Sequence, residues 1–290
     1  MPDRITFTRP SMTAAVSVTG SGCGLNCAHC GAKYLKGMRP PEEALAAFPA
    51  SRPKSALVSG GSDAYGRVPV EAWTGRVKAA LPGIKINCHT GILDAARAAA
   101  LAGTVDVVSY DYVSDARIVS GVYGSLSQAE DYVAGFISAS GAFPTVPHIT
   151  VGLMGPDEEP SLSLKSLAEI RGLADEGRIS EPPAIVIIVF RPTPGTRMEG
   201  VEPPVADSVI DVIKAAKSLF PASPVSLGCM RPTGRYRDEL DAKAVGAGVD
   251  IIVMPSKKAR KAALDMGLTV AEADECCVFP ALEGGDGDGR

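Results

Sequence analysis

The chain is poor in aromatic residues, which make up 5% of its 290 positions. It also lacks an excess of basic charge. Its 29 Lys and Arg face 33 Asp and Glu, giving a formal net charge of −4, which argues against a nucleic-acid-binding surface. No apolar run approaches 18 residues, so no membrane-spanning helix is expected. The opening segment, MPDRITFTRP, has no apolar stretch of the kind a secretory signal carries. Internal repeats and long linkers are missing too. The seven cysteines are an odd number, in a chain too long for a secreted disulfide framework. A reducing, cytoplasmic setting is expected, with the thiols buried or bound to metal.

What is present is apolar material for a large core, 46% of the residues. Short Val- and Ile-rich runs alternate with helical patterns. The runs predict strands at Ala14–Thr19, Ser55–Ser59, Lys85–His89, Val105–Asp111, Thr145–Gly152, Ala184–Phe190, Pro224–Gly228 and Asp250–Met254. Being apolar on both faces, they suit strands covered on both sides. Helices are predicted at Glu42–Phe48, Val70–Ala80, Leu93–Ala102, Gln128–Ser138, Leu162–Gly172, Ala206–Leu219, Asp238–Ala247 and Lys257–Met266. Such alternation implies an α/β fold with a parallel sheet and right-handed crossovers. The expectation is a TIM-type (β/α)8 barrel or an extended partial barrel. One domain over residues 1–282 is the simplest organisation, with a C-terminal tail crossing the barrel mouth. The Gly- and Asp-rich end, residues 283–290, is expected to be disordered.

The loop after the first predicted strand holds Cys23, Cys27 and Cys30 in the spacing C-x3-C-x2-C. A compact loop of this kind can aim three thiolates at one cuboidal iron–sulfur cluster and leave its fourth iron without a protein ligand. Thiolates are soft donors suited to such clusters. Gly20, Gly22 and Gly24 let the backbone wrap a bulky inorganic group. A structural zinc site or three unrelated buried thiols are the alternatives. Zinc would want a fourth ligand, and the local candidate, His29, sits between two cysteines where its ring is not expected to reach the same centre.

This loop resembles the signature of the radical S-adenosylmethionine (SAM) superfamily. The resemblance implies a [4Fe–4S] cluster on Cys23, Cys27 and Cys30 whose open iron binds SAM. Reductive cleavage of SAM then gives a 5′-deoxyadenosyl radical that takes hydrogen from a substrate. It places His29 where the family's backbone lies near adenine. Ser59-Gly60-Gly61-Ser62 resembles the family's Gly-Gly-Glu motif, which contacts the SAM amino group, with Ser62 in place of the acid and Asp63 next to it. An ordinary glycine-rich turn is the plainer reading. His89 ends the third predicted strand, as a pocket group or a satisfied core histidine. Asp111 ends the fourth, as a ribose acceptor or a helix cap. Gly152, Gly155 and Glu158 have the spacing of the family's fifth-strand adenine support. Arg191, in Arg191-Pro-Thr-Pro-Gly195-Thr196, is similar to the corresponding stretch of biotin-synthase-like members. It could hold the SAM carboxylate, a substrate carbonyl or a rim salt bridge.

Four cysteines are left. Cys88 reads as a small buried hydrophobe or a pocket residue. Cys229, Cys276 and Cys277 could meet at a second, auxiliary iron–sulfur site if the C-terminal segment returns over the barrel mouth, with Arg231, Arg235 or Arg237 as an unusual ligand. Three unlinked buried thiols are the alternative. The stretch Val18–Met38, with His89-Thr90-Gly91 and Glu275-Cys276-Cys277, is most similar to a subunit of the two-component lipoyl synthases of archaea and some bacteria. That likeness implies sulfur insertion into an octanoyl chain on a lipoyl carrier protein or domain. The implied partners are that carrier, a sister radical SAM subunit and an electron donor such as ferredoxin. A mutase or isomerase of the biotin-synthase-like group, without sulfur insertion, is one alternative. A non-catalytic iron–sulfur or zinc scaffold is the other.

Overall fold

The computed structural model describes residues 3–283. In chain order the strands are β1 (Arg4–Thr8), β2 (Thr13–Ser17), β3 (Ser55–Ser59), β4 (Lys85–His89), β5 (Val107–Asp111), β6 (Thr145–Val151), β7 (Ile185–Val189), β8 (Val225–Leu227), β9 (Ile251–Val253) and β10 (Thr269–Ala273). The helices are α1 (Pro41–Ser51), α2 (Glu71–Ala80), α3 (Ala95–Leu101), α4 (Ala129–Ala142), α5 (Ser161–Asp175), α6 (Ala206–Leu219), α7 (Arg235–Gly246), α8 (Lys257–Asp265) and α9 (Val278–Glu283). No helix of the described residues is long and apolar enough to cross a membrane. The expected disordered tail falls outside the described residues except for Glu283, which closes α9.

The chain divides into two compact units. One is made of the residues up to Pro10, Pro147–Pro192 and the chain from Gly200 onward; the other of Ser11–Val146 and Thr193–Glu199. In the first unit the strands are hydrogen-bonded in the order β10-β1-β9-β8-β7-β6. In the second the order is β5-β4-β3-β2. The recorded strand pairs are parallel throughout. Neither run of strands closes on itself, so the partial-barrel form of the expected α/β fold is the one adopted.

Local sequence explains the element ends. Helix α1 starts with Pro41 and the acids Glu42 and Glu43, which suit a first turn whose N–H groups lack partners. Asp94 caps α3 by accepting from Arg97 N at 2.9 Å, and Ser256 caps α8 by accepting from Ala259 N at 3.2 Å, as short polar side chains do at helix starts. Gln128 and Asp131 form a capping box on α4. Strand β7, IVIIV, is buried at all five positions, and α6 buries Val209, Ile210, Val212, Ile213 and Ala216. Two strands were not expected. β1 precedes the strand read as first, and β10 flanks it at the sheet edge. A strand that is half open, as β10 is with its TVAEA sequence, needs no continuous apolar run.

Candidate metal centre and the strand-end sites

In the second unit, the end of β2 turns sharply into the cysteine loop. Ser17 Oγ donates to Gly20 O at 2.6 Å, and Thr19 Oγ1 donates to Gly22 O at 2.8 Å. The loop then leans on the end of β3. Gly61 N donates to Thr19 Oγ1 at 2.7 Å, and Gly24 N to Ser62 O at 2.6 Å. Gly61 is where the fit is tightest. A Cβ there would stand 1.9 Å from Gly22 O and 2.6 Å from both Cα and Cβ of Cys23. The Gly-Gly pair is therefore a backbone-to-backbone contact that presses on the first cysteine. The Ser62 hydroxyl lies 3.9 Å from Cys23 Sγ. Asp63 is engaged in a turn, its Oδ1 accepting from Tyr65 N at 2.9 Å and Arg67 N at 3.0 Å.

Beyond Cys23 the loop passes through two left-handed non-glycine residues, Asn26 and Ala32. It is pinned on one side by Ala28 N donating to Val122 O at 2.6 Å. On the other side the segment 193–199 of the same unit holds it. Tyr34 Oη meets Thr193 Oγ1 at 2.8 Å, Met198 N donates to Ala28 O at 3.2 Å, and Lys33 Nζ donates to Pro194 O. The Pro194-Gly195-Thr196 stretch is thus a clamp on the cysteine loop, a role not read from the sequence.

Cys27, His29 and Cys30 offer donor atoms that all lie within 4.8 Å of one another, and no other such group occurs among the described residues. This corrects the expectation that the His29 ring could not reach the centre its flanking cysteines define: the tight turn after Asn26 brings it round. A hydrogen bond from Cys27, helped by His29, draws the Cys30 thiol down to about 4. Cys27 is pushed far up because it holds the shared proton, and burial adds to this. Cys23 is near enough to influence Cys27 electrostatically, yet it does not join the 4.8 Å group. A tetrahedral mononuclear ion sets its donors roughly 4 Å apart, whereas a cuboidal cluster distributes three thiolates over three irons and needs them wider. The three thiols, one of them held as thiolate, and the Gly61 cradle fit a cluster. The buried Nδ1 of His29, which has no hydrogen-bond partner among the described residues, is a further donor.

The remaining strand ends of this unit are polar and aromatic. His89 Nδ1 and Asp111 Oδ2 are 4.0 Å apart, and burial lowers the His89 pKa while Asp111 opposes it. The His29 and Tyr123 rings have centroids 5.8 Å apart, and Tyr123 and Tyr132 follow at 5.9 Å. Burial raises both phenols, Tyr132 to about 12, so both stay protonated donors. A cavity of about 420 Å³ is lined by Thr19, Cys23, Ser62, Asp63, Arg67 and Arg97, among others. Arg97 organises its wall: it pairs with Glu71 at 2.5 Å and donates to Val68 O at 2.5 Å and to Ile92 O. Cys88 is fully buried and its thiol is raised by burial, as the hydrophobe reading expects. Arg67, Arg97 and the tyrosines carry no motif, and periodicity alone gave no sign of them.

The first unit holds the other expected residues. Gly152 has φ +100°, and its N–H donates to Glu159 Oε1 at 2.8 Å. The acid that answers this glycine is therefore Glu159, one residue beyond Glu158, which closes the short turn Pro156–Glu158. Arg191 lies two residues past β7. Cys229 is exposed, and Cys276 and Cys277 bear on it: Cys277 hydrogen-bonds Cys276, and the charges of both Cys276 and Cys229 raise it. The three sulfurs do not come within 4.8 Å of one another. Arg231 is not available as an unusual ligand. Its side chain is fully buried, with Nε 2.8 Å from Asp241 Oδ1 and Nη2 3.1 Å from Oδ2.

No protein-family description matches the sequence, and no curated relative matches it. Solved structures do. A methylornithine synthase (PylB) is similar with a TM-score of 0.62 at 15% identity, over 93% of this chain and 84% of that one. The FeFe-hydrogenase maturase HydG from Carboxydothermus hydrogenoformans has a TM-score of 0.65 at 14% identity, over 92% of this chain and 68% of its own. Another HydG structure has a TM-score of 0.64 at 14% identity, over 87% and 57%. At these identities it is the fold that is shared: the chain has the strand-and-helix architecture of these synthase and maturase structures.

Proposed function

We propose that this chain is a radical SAM enzyme whose [4Fe–4S] cluster is held by Cys23, Cys27 and Cys30. The observation that carries the reading is the seating of the cysteine loop, with Gly61 pressed on Cys23 and the Cys27 and Cys30 thiols turned to a common point. When bound and reduced, the cluster supplies from SAM a 5′-deoxyadenosyl radical that removes hydrogen from an unactivated carbon. The residues around it have their own tasks. Ser62 stands beside Cys23 and faces the SAM amino group together with the backbone of Gly60 and Gly61. Asp111 and His89 serve the ribose and the substrate side. In the other unit, the Gly152 N–H is held by Glu159 Oε1 at 2.8 Å.

The reaction proposed is sulfur insertion into a protein-bound octanoyl chain, with a lipoyl carrier, a sister radical SAM subunit and a ferredoxin-type donor as partners. Its substrate and partners follow from the sequence resemblance, and Cys229, Cys276 and Cys277, near enough to influence one another's charge, are the residues that would hold the auxiliary cluster. Anaerobic reconstitution tests both levels. Iron near four per chain, and 5′-deoxyadenosine formed with dithionite, is expected for one cluster; iron near eight is expected with the auxiliary one. Iron without 5′-deoxyadenosine would overturn the radical reading, and a ceiling near four would remove sulfur insertion.

A second reading rests on Cys27, His29 and Cys30 lying within 4.8 Å of one another. That compactness suits a mononuclear zinc with Cys23 or water as the fourth ligand. One zinc per chain as isolated, resistant to replacement by iron and sulfide, would establish it in place of the cluster.

A further inference from the structure

Among its described residues, the second unit leaves two large apolar side chains exposed, Tyr65 at 48% and Leu126 at 62%. Their backbones are joined. Leu126 N donates to Ala64 O at 2.9 Å, and Ser127 Oγ donates to Tyr65 O at 3.1 Å. Both turns lie against the cysteine loop. Gly24 N donates to Ser62 O at 2.6 Å, and a Cβ on Gly24 would stand 3.0 Å from the Asp63 backbone. A Cβ on Gly124 would stand 3.7 Å from Leu25 O. Gly24 and Asn26 are themselves exposed.

A cation stands at each end of this stretch. Arg67 stacks on the Tyr65 ring, 5.7 Å from its centroid, and lines the cavity beside Cys23 and Gly24. Arg197 Nη2 lies 3.4 Å from Asn26 O. Both arginines are exposed, and neither makes an ion pair among the described residues. The acids nearest them in sequence are engaged with backbone: Asp63 Oδ1 accepts from Tyr65 N and Arg67 N, and Glu199 Oε2 from Gly195 N. No Asp or Glu occurs from Ser11 to Pro41, a segment that carries Lys33, Lys36 and Arg39 in a chain of net charge −4.

We infer that Tyr65, Arg67, Leu126 and Arg197 frame a docking surface for a small acidic electron-carrier protein, seated over residues 24–26 of the cysteine loop. Exposed apolar and aromatic side chains beside arginines are the composition of protein interfaces. Unpaired cations on one face of an acidic molecule steer an acidic partner to that face and away from the rest. Residues 24–26 join Cys23 to Cys27, so a redox group seated on them is separated from the metal centre by that short backbone. Four side chains and one loop suit a transient redox encounter, which buries less than about 1,200 Å². The inference rests on the cluster reading for its electron acceptor, but the surface does not need the cluster in order to bind.

The test uses the full chain, reconstituted anaerobically, with an acidic [2Fe–2S] ferredoxin as the probe. Affinity is read by calorimetry at low and physiological salt. Cluster reduction is read by stopped-flow bleaching with reduced ferredoxin or with dithionite. Arg67→Glu and Arg197→Glu are expected to weaken ferredoxin binding about tenfold or more, and salt to weaken that of the parent. Leu126→Glu, away from the thiols and the cavity wall, is expected to slow reduction by ferredoxin about tenfold and leave reduction by dithionite unchanged. Arg52→Glu, exposed at the opposite end of the strands, is expected to change neither. Losses at Arg67 and Arg197 no larger than at Arg52 overturn the surface. So does a dithionite rate that falls with the ferredoxin rate in Leu126→Glu. Self-association that Leu126→Glu abolishes, with no ferredoxin bound, overturns the assignment to an electron carrier and makes the face a contact between copies. Ferredoxin binding with the expected pattern of variants, to a chain whose centre dithionite does not bleach, sinks the cluster reading and leaves the surface standing.

Discussion

At the scale of single residues, Gly61 is the most demanding position near the candidate centre. Its side-chain space is occupied by Gly22 O and the Cys23 backbone, which no rotamer change can clear. Gly61→Ala must move the cysteine loop or the end of β3. Gly60 is more forgiving, since a Cβ there would meet the Val18 and Thr19 side chains at 3.0 and 3.1 Å. Supporting contacts of this kind around metal ligands are worth about 10- to 100-fold in affinity. Gly61→Ala is therefore expected to lower iron retention by about tenfold or more against a chelator, with far-UV circular dichroism nearly unchanged. Gly60→Ala should lose much less. Equal retention in all three proteins would show that the Gly61 contact does not position Cys23.

At the scale of elements, the buried Arg231–Asp241 pair ties four of them together. Arg231 follows β8, Asp241 belongs to α7, and the pair reaches β9 through Arg231 Nη2 and Val253 O at 2.9 Å. Asp241 also accepts from Ser256 N at 2.8 Å, at the start of α8. Removing one charge leaves the other buried and unpaired, a loss of about 3–5 kcal/mol. Asp241→Asn should lower the urea midpoint accordingly with little change in slope; a midpoint within error of the parent would mean that water reaches the arginine. Such ties are invisible in sequence, because Arg231 and Asp241 look like any exposed rim charges until the fold encloses them. What sequence does carry is the apolar continuity of covered strands. Ser55–Ser59 and Lys85–His89 coincide with β3 and β4, Ala14–Thr19 is shifted back to Thr13–Ser17, and the other expected strands are trimmed by one or two residues at their ends. β1 and β10 escape because RITFT and TVAEA mix polar and apolar residues. The π-helical turn at Ile118–Tyr123, which supplies Val122 O to the cysteine loop, escapes because its periodicity is neither that of a strand nor of an α-helix.

At the scale of the whole chain, the candidate groups are shared between two compact units that interleave in sequence. The second unit contains Cys23, Cys27, Cys30, Gly61, Ser62, His89 and Asp111, and the clamp at Thr193–Glu199. The first contains Gly152, Arg191, Arg237, Cys229, Cys276 and Cys277. The motif spacings located most of these groups, but how they are distributed depends on the long-range path of the chain, above all on residues 193–199 leaving one unit to brace the other's cysteine loop. Metal binding stabilises the native state over local openings, so its imprint on amide hydrogen exchange should follow this distribution. Comparing metal-loaded with metal-free chain, slowed exchange is expected in 17–34, around 60–66, at 118–124 and through 193–199. The last two segments are diagnostic, because they hold no ligand and respond only if the loop is braced as described. Protection extending to 228–231 and 275–279 would mark an auxiliary centre. Protection confined to the second unit would leave one cluster and no source of sulfur. No change in 17–34 would mean that metal, if bound, is not held by Cys23, Cys27 and Cys30 at all.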